Sequence, residues 1–358
     1  MTDKKNQHYI PKFYLRNFSY RGNLKQIGLF NVKSNFFYQT APLKNQGSKD
    51  FFYGNDGVIE EGLSIIEGRL AQTIKNIIAD KVLPKAFSKE HLSLLMFVGL
   101  TDLRNPIVIE IYKSMFKTVE AKLKELNIYT DTQDFFPEIE HRQAVNTSLK
   151  GLNDVVGYMG DLGYKLLINK TSTPFISSDF PIVKYNQYLE GKNWKNHKTG
   201  YGTTGLQLIV PLSNEMVIIL YDSAIYKVGA KRSQCLEIDK IEDVNQLNML
   251  QLLNCFQTVY FNETINEHYI NELAKKTSKF NRPNQLESEV FFKIMSEEEK
   301  EKGGKDNLII TGSSELAIKL KIAGISIHSS GKKHQLSETL AQVRPVPMQL
   351  RNEKRNRD

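Results

Sequence analysis

The stretch KEHLSLLMFVGLTDLRNP, Lys89 to Pro106, decides how the rest of the chain must be arranged. At helical spacing, Leu92, Leu94, Leu95, Met96, Phe97, Val98, Leu100 and Leu103 cover nearly the whole circumference. A helix that is apolar all round is enclosed by other elements and does not lie on a surface. Ser88 is placed to cap its N-terminus, and Glu90 sits favourably in the first turn. Asn105-Pro106 breaks or kinks it. Arg104 closes this helix, so its stem is buried. A buried guanidinium needs a carboxylate or helix-end carbonyls. A helix-stopping ion pair and an anion-binding site are both open readings of that residue.

Other helices surround the central one. Ile59 to Ile78 carries a single stripe of Ile59, Leu63, Ile66, Leu70, Ile74 and Ile77. Ile107 to Leu126 and Gln143 to Met159 continue the helical region. Before it, Asn23 to Thr40 places two β-rich runs around Asn-Val-Lys-Ser-Asn, a hairpin pattern. Pro42 to Gly57 reads as loop. After it come short β-type runs: Lys165–Ile168, Phe175-Ile176, Ile182–Tyr185, Leu206–Pro211 and Met216–Tyr221. Helices over Asp239–Asn254 and Thr264–Lys275 enclose a strand at Thr258–Phe261. This order predicts an α+β fold, with a helical core of about six helices, a mainly antiparallel sheet and an N-terminal β-hairpin. Residues 1–280 are expected to form the main domain, 281–306 a charged linker, and 307–358 a small appendage or tail.

The chain has 358 residues, 40% hydrophobic and 25% charged, with net charge +8. That balance is globular, and the positive excess favours RNA or DNA as partner. No apolar run approaches the ~18 residues of a membrane span. MTDKKNQHYIP lacks the apolar stretch of a signal peptide. Cys235 and Cys255 alone suit two free thiols and a cytoplasmic location. There is no phosphate loop, no GxGxxG after a strand, no GxSxG elbow, no zinc-spaced cysteine pair and no HExxH. His91, His141, His197, His268, His328 and His334 lie in polar segments and read as surface residues.

Four clusters have side chains suited to chemistry. In QHYIPKFYLRNF, His8 offers a base or acid, Tyr9 a proton donor, and Arg16 an anion clamp if the segment is extended. The other reading is an aromatic strand that plugs the core. Glu60 and Glu67 share a helix face and are candidate ligands for a divalent metal such as Mg, together with Asp179. Arg104 is the third. In FISSDFP, Ser177, Ser178 and Asp179 sit at a strand end, either as a site or as a plain Asx-turn.

These segments together resemble domain-of-unknown-function family 4238. His8, Tyr9, Ile10, Pro11, Phe13, Tyr14, Leu15, Arg16 and Phe18 match its H-Y-[VI]-P-x-F/W-Y-L-[KR]-x-F opening. Glu60 or Glu61, Leu63 and Glu67 match its E-x2-L-x3-E segment. Arg104 and Pro106 match R-x-P, and Ser178, Asp179 and Pro181 match its F-[IL]-[ST]-S-D-x-P-V. Asn214 replaces an expected proline in PLSN. The resemblance spans roughly Gln7 to Lys275 and implies a setting in mobile or defence loci, with no established activity. It adds weight to His8, Arg16, Glu67, Arg104, Ser178 and Asp179.

The combined reading expects a phosphodiester hydrolase, a nuclease of phage defence or toxin type. His8 would be the base or acid, assisted by Tyr9. Glu67 and Asp179 would hold a metal or water, while Arg104, Arg16 and Ser178 would bind the anion. The alternative is a non-enzymatic sensor or adaptor for a nucleotide, nucleic acid or phage protein.

Overall fold

The central helix forms with the expected bounds, Lys89–Leu103, and Ser88 Oγ accepts the His91 N–H. The computed structural model describes residues 5–125, 141–192, 198–280, 289–293, 307–311, 318–332 and 342–355. In chain order, the N-terminal part runs β1 (Asn6–His8), α1 (Lys12–Leu15), β2 (Gln26–Asn31), β3 (Phe36–Pro42) and β4 (Ser48–Asp50). The helical part is α2 (Val58–Asp80), α3 (Lys89–Leu103), α4 (Pro106–Glu125), α5 (His141–Lys150) and α6 (Leu152–Met159). Then follow β5 (Gly163–Asn169), β6 (Ser177–Ser178), β7 (Val183–Tyr185), α7 (Gln187–Gly191), β8 (Gln207–Ser213) and β9 (Met216–Tyr221). The chain continues through β10 (Tyr226–Val228), β11 (Cys235–Ile238), α8 (Ile241–Asn254), β12 (Thr258–Phe261) and α9 (Glu267–Thr277). The last strands are β13 (Glu289–Lys293), β14 (Asn307–Thr311) and β15 (Ile325–Ile327).

The fold is α+β. One sheet has the order β11-β5-β9-β8-β7, antiparallel except for β11 against β5. A second has the order β3-β2-β12-β6 and is antiparallel throughout. The β2–β3 pair is the expected hairpin. Every residue of β8 and β9 is buried, as befits strands covered on both faces. α3 lies in the main core, where Leu94, Phe97, Val98 and Leu100 meet Tyr14 and Phe18 from the opening segment and Leu208 and Val210 from β8. α3 and α4 meet at a 59° bend at Asn105-Pro106. Among the described residues no single helix is long and apolar enough to cross a membrane.

Several elements depart from the sequence reading. The opening segment is extended only over Asn6–His8; Pro11 then starts the short helix Lys12–Leu15 and a 3-10 turn, Arg16–Phe18. Its aromatics plug the core as expected, but from a helical turn. Gln143–Met159 divides at Gly151 into α5 and α6. His91 is buried, at 3% exposure, with its ring stacked on Tyr164. β4 falls inside the stretch read as loop. β13 and β14 pair with each other; the rest of 281–306 lies outside the described residues. Downstream, Ile318, Leu320, Ile322 and Ile325 join a core cluster with Val183, Tyr185 and Ile219. Arg344 ties the far end back through Asp161 (3.0 Å) and the carbonyls of Thr203 (2.9 Å) and Tyr201 (3.0 Å). Cys235 and Cys255 are both free thiols.

Candidate functional site

The end of α3 supplies the central group. Arg104 is its C-cap and is only 1% exposed. Its Nη1 donates to Glu67 Oε1 on α2 at 2.7 Å, while Glu67 keeps 28% of its side chain in solvent. The Tyr53 hydroxyl also contacts the guanidinium and donates to the His8 carbonyl at 3.0 Å. Burial works against the Arg104 charge; Tyr53 and Glu67 outweigh it and hold the guanidinium above its ordinary value. Among the described residues Arg104 Nε has no hydrogen-bond partner.

His8 comes to this cluster from β1, which pairs with β4. Its Nε2 lies 3.0 Å from the Lys44 carbonyl, so the neutral ring carries its proton on Nε2 and donates it there. Burial lowers its pKa to about 4, helped by the charges of Lys12 and Arg104 and opposed by the bond to Lys44. At pH 7 the ring is therefore neutral. Tyr9, half-buried, packs its ring 5.6 Å from Phe52. Burial raises its pKa, and the charge of Asp179 adds to this. Glu60, half-buried on α2, acts electrostatically on Tyr53.

The FISSDFP residues are held differently. Ser178 is wholly buried in β6, where its Oγ donates to Gln251 Oε1 at 2.7 Å. Asp179 accepts three backbone N–H bonds from the loop after α8: Phe256 to Oδ1 at 2.8 Å, and Gln257 and Thr258 to Oδ2 at 2.9 Å each. Asn105 Nδ2 also donates to the Asp179 carbonyl at 2.7 Å. A carboxylate engaged in this way clamps a loop.

The structure thus brings His8, Glu60, Glu67 and Arg104 around Tyr53, with Tyr9 between this group and Asp179. It leaves Ser178 inside the sheet. Arg16 is exposed on the 3-10 turn, and the extended register that would set it beside His8 does not form. Among the described residues no group of three or more His, Cys, Asp or Glu side chains is placed to hold a metal ion. Sequence reasoning does not place Tyr53 in the cluster, although FFY, Phe51 to Tyr53, resembles the family's N/D-F-Y ahead of α2.

A second polar group adjoins the first. Asp102, 2% exposed, accepts from Lys184 Nζ at 2.9 Å and from the Tyr201 hydroxyl at 2.6 Å. Burial pushes the Tyr201 hydroxyl pKa well up, with Asp102 adding to it.

An α+β scaffold that gathers the DLRNP, HY and E-x2-L-x3-E residues at one helix end matches a known family along most of its length. The chain belongs to the family described as "Protein of unknown function (DUF4238)", whose model matches residues 6–264. No curated protein and no solved structure matches the chain significantly.

Proposed function

We propose that the chain is a non-enzymatic sensor or adaptor that recognises a nucleotide or nucleic acid at the Arg104 cluster. The observation that supports this best is the asymmetry of the Arg104–Glu67 pair, 1% against 28% exposed. Glu67 can turn into water, whereas Arg104 cannot. A phosphate approaching from the Glu67 side meets a guanidinium that needs an anionic partner and matches phosphate geometry. Exchange of one anion for the other would uncouple α2 from α3, so binding changes the relation of two helices. Phage defence is the setting that the family resemblance implies.

One observation supports the hydrolase as a second reading: the neutral His8 ring lies close enough to Arg104 to feel its charge, so a base and an anion clamp adjoin, although a pKa of about 4 makes His8 a weak base at pH 7. In that reading Tyr9 assists, Glu67 and Asp179 hold Mg or water, and Arg104 steadies the phosphate of RNA or DNA. Weighing against it, the Asp179 carboxylate is taken up by three N–H groups, and His8 Nε2 by a carbonyl.

Two measurements test the pair of readings. Binding of a labelled oligonucleotide to wild type and Glu67→Gln should show tighter binding by the variant, because the competing charge is gone. Integrity of cellular RNA and DNA on expression should be unaffected by wild type. Degradation that His8→Ala abolishes would transfer the conclusion to the hydrolase. Absence of both binding and cleavage sinks both readings.

A further inference from the structure

Two residues before Arg104, α3 supports a different surface. Lys184, held by Asp102, keeps 26% of its side chain exposed. Its Nζ lies 5.1 Å from the Tyr201 ring centre and 6.0 Å from that of Phe180. Phe180 is buried with Ile107 and Val108, and the half-buried rings of Tyr112 and Phe256 pack against this cluster. Over Phe256, at 4.1 Å from its ring centre, sits Nζ of the exposed Lys33. Each lysine therefore sits against aromatic rings, and the Phe180 cluster joins the two contacts. The carboxylate that pairs with Lys184 is internal, so the outward charge at both lysines is positive.

The backbone below this face is fixed. Asp179 holds the N–H groups of Phe256, Gln257 and Thr258. Asn254 Nδ2 donates to the Phe180 carbonyl at 2.6 Å, and the Val32 N–H to the Gln257 carbonyl at 2.8 Å. A half-buried ring on a loop held by so many bonds stays in one place, so little ordering entropy is lost when a base takes the position of Lys33 over it.

We propose that this face binds single-stranded nucleic acid, with a base stacked at Phe256 and phosphates taken by Lys33 and Lys184. The proposal rests on the recognition reading above, adds a second contact surface beside the Arg104 cluster and specifies the ligand. Stacking needs an unpaired base, because the faces of paired bases are covered by their neighbours; cations set against rings suit such a strand. Lys33 has a long, exposed side chain that can move from the ring to a phosphate.

The test is fluorescence anisotropy with labelled single-stranded DNA, single-stranded RNA and the matching duplex, over a salt series. Wild type should prefer either single strand to the duplex. Phe256→Leu, which keeps apolar bulk but loses the ring, should bind roughly ten-fold more weakly. Lys33→Ala should reduce the slope of log K against log salt by about 0.7, one phosphate contact on a single strand. Lys33 is exposed, so this variant tests the face even if Phe256→Leu is poorly folded. Wild-type binding that both variants retain in full overturns this proposal and leaves the recognition reading standing. Equal or stronger binding of the duplex also overturns it. No binding of any oligonucleotide by wild type overturns this proposal together with the nucleic-acid form of the recognition reading.

Discussion

Arg104 and Glu67 are unequal partners, and the inequality sets what each substitution does. Glu67→Ala takes the carboxylate from a buried guanidinium and leaves it Tyr53 and whatever enters from the Glu67 side. Removing one partner of a buried pair costs about 3–5 kcal/mol. Arg104→Met removes the buried charge and leaves Glu67, 28% exposed, to water. Urea unfolding should therefore rank Glu67→Ala as the less stable variant; the reverse order would mean that water replaces the Glu67 carboxylate on Arg104 at little cost. His8 gives a pH-dependent counterpart. Its folded pKa of about 4 lies below the ordinary 6.5, so between those values the unfolded chain binds more protons. The stabilisation is present above pH 6.5 and is lost as pH falls toward 4, roughly 3 kcal/mol for the full shift. Burial lowers the pKa of His91 and His141 in the same direction, so the acid sensitivity of the whole protein exceeds that of one ring. The difference between wild type and His8→Phe, measured by unfolding at pH 7 and pH 4.5, isolates His8. A gap that does not change with pH would show that His8 titrates normally.

At the scale of elements, the loop between α8 and β12 depends on one carboxylate. Asp179→Ala should cost about 3 kcal/mol or more, because three N–H groups lose a charged acceptor. Asp179→Asn keeps one carbonyl oxygen and should fall between. Amide exchange at Phe256, Gln257 and Thr258 should rise in both; protection unchanged from wild type would remove the clamp from the account. The turn before β4 is similarly constrained. Gly47 has φ +60°, and a Cβ there would lie 2.7 Å from Ile10 Cβ. Gly47→Ala should lower stability by about 1–3 kcal/mol, read from the shift of the urea midpoint. The bounds of α3 were legible because a dense apolar run, an N-cap and a proline agreed on them. The clamp was not, because its partners are backbone N–H groups, which carry no residue identity. FISSDFP announced a turn or a site and could not say which loop it would fasten. The opening segment misled for another reason: with only four helical residues after Pro11, α1 is too short to show a period.

For the whole molecule, the boundary of the family match and the boundary of the fold differ. The match ends at residue 264, yet Ile318, Leu320, Ile322 and Ile325 are buried beside β7 and β9. Composition marked the region after Asn281 as different, and reading it as an appendage or tail passes over the strict alternation of Ile318, Lys319, Leu320, Lys321 and Ile322, a strand-like pattern that marks one buried face. A fragment of residues 1–280 would expose that core face and lose the Arg344 ties. It should be markedly less stable than the full chain, or insoluble; calorimetry of the two checks this, and equal melting temperatures would refute it. The Arg104 cluster was legible as a set of residue types because α2 carries a clear apolar stripe and α3 a dense apolar run with a marked end. Its closure was not, since Tyr53 and the Lys44 carbonyl reach it through tertiary contacts.

The position of β12 has a consequence for synthesis. It lies inside its sheet, with Leu29 of β2 opposite Tyr260 and Ser177 of β6 on the other side. During translation the β2–β3 hairpin emerges long before the strand that covers its open edge. The second sheet cannot close until the chain has been made past Phe261, so folding of this half waits for contacts of very high sequence separation. Until then Ile27, Leu29 and Phe30 have no β12 to pack against, and a nascent chain halted before Thr258 is the form most exposed to chaperones and to aggregation.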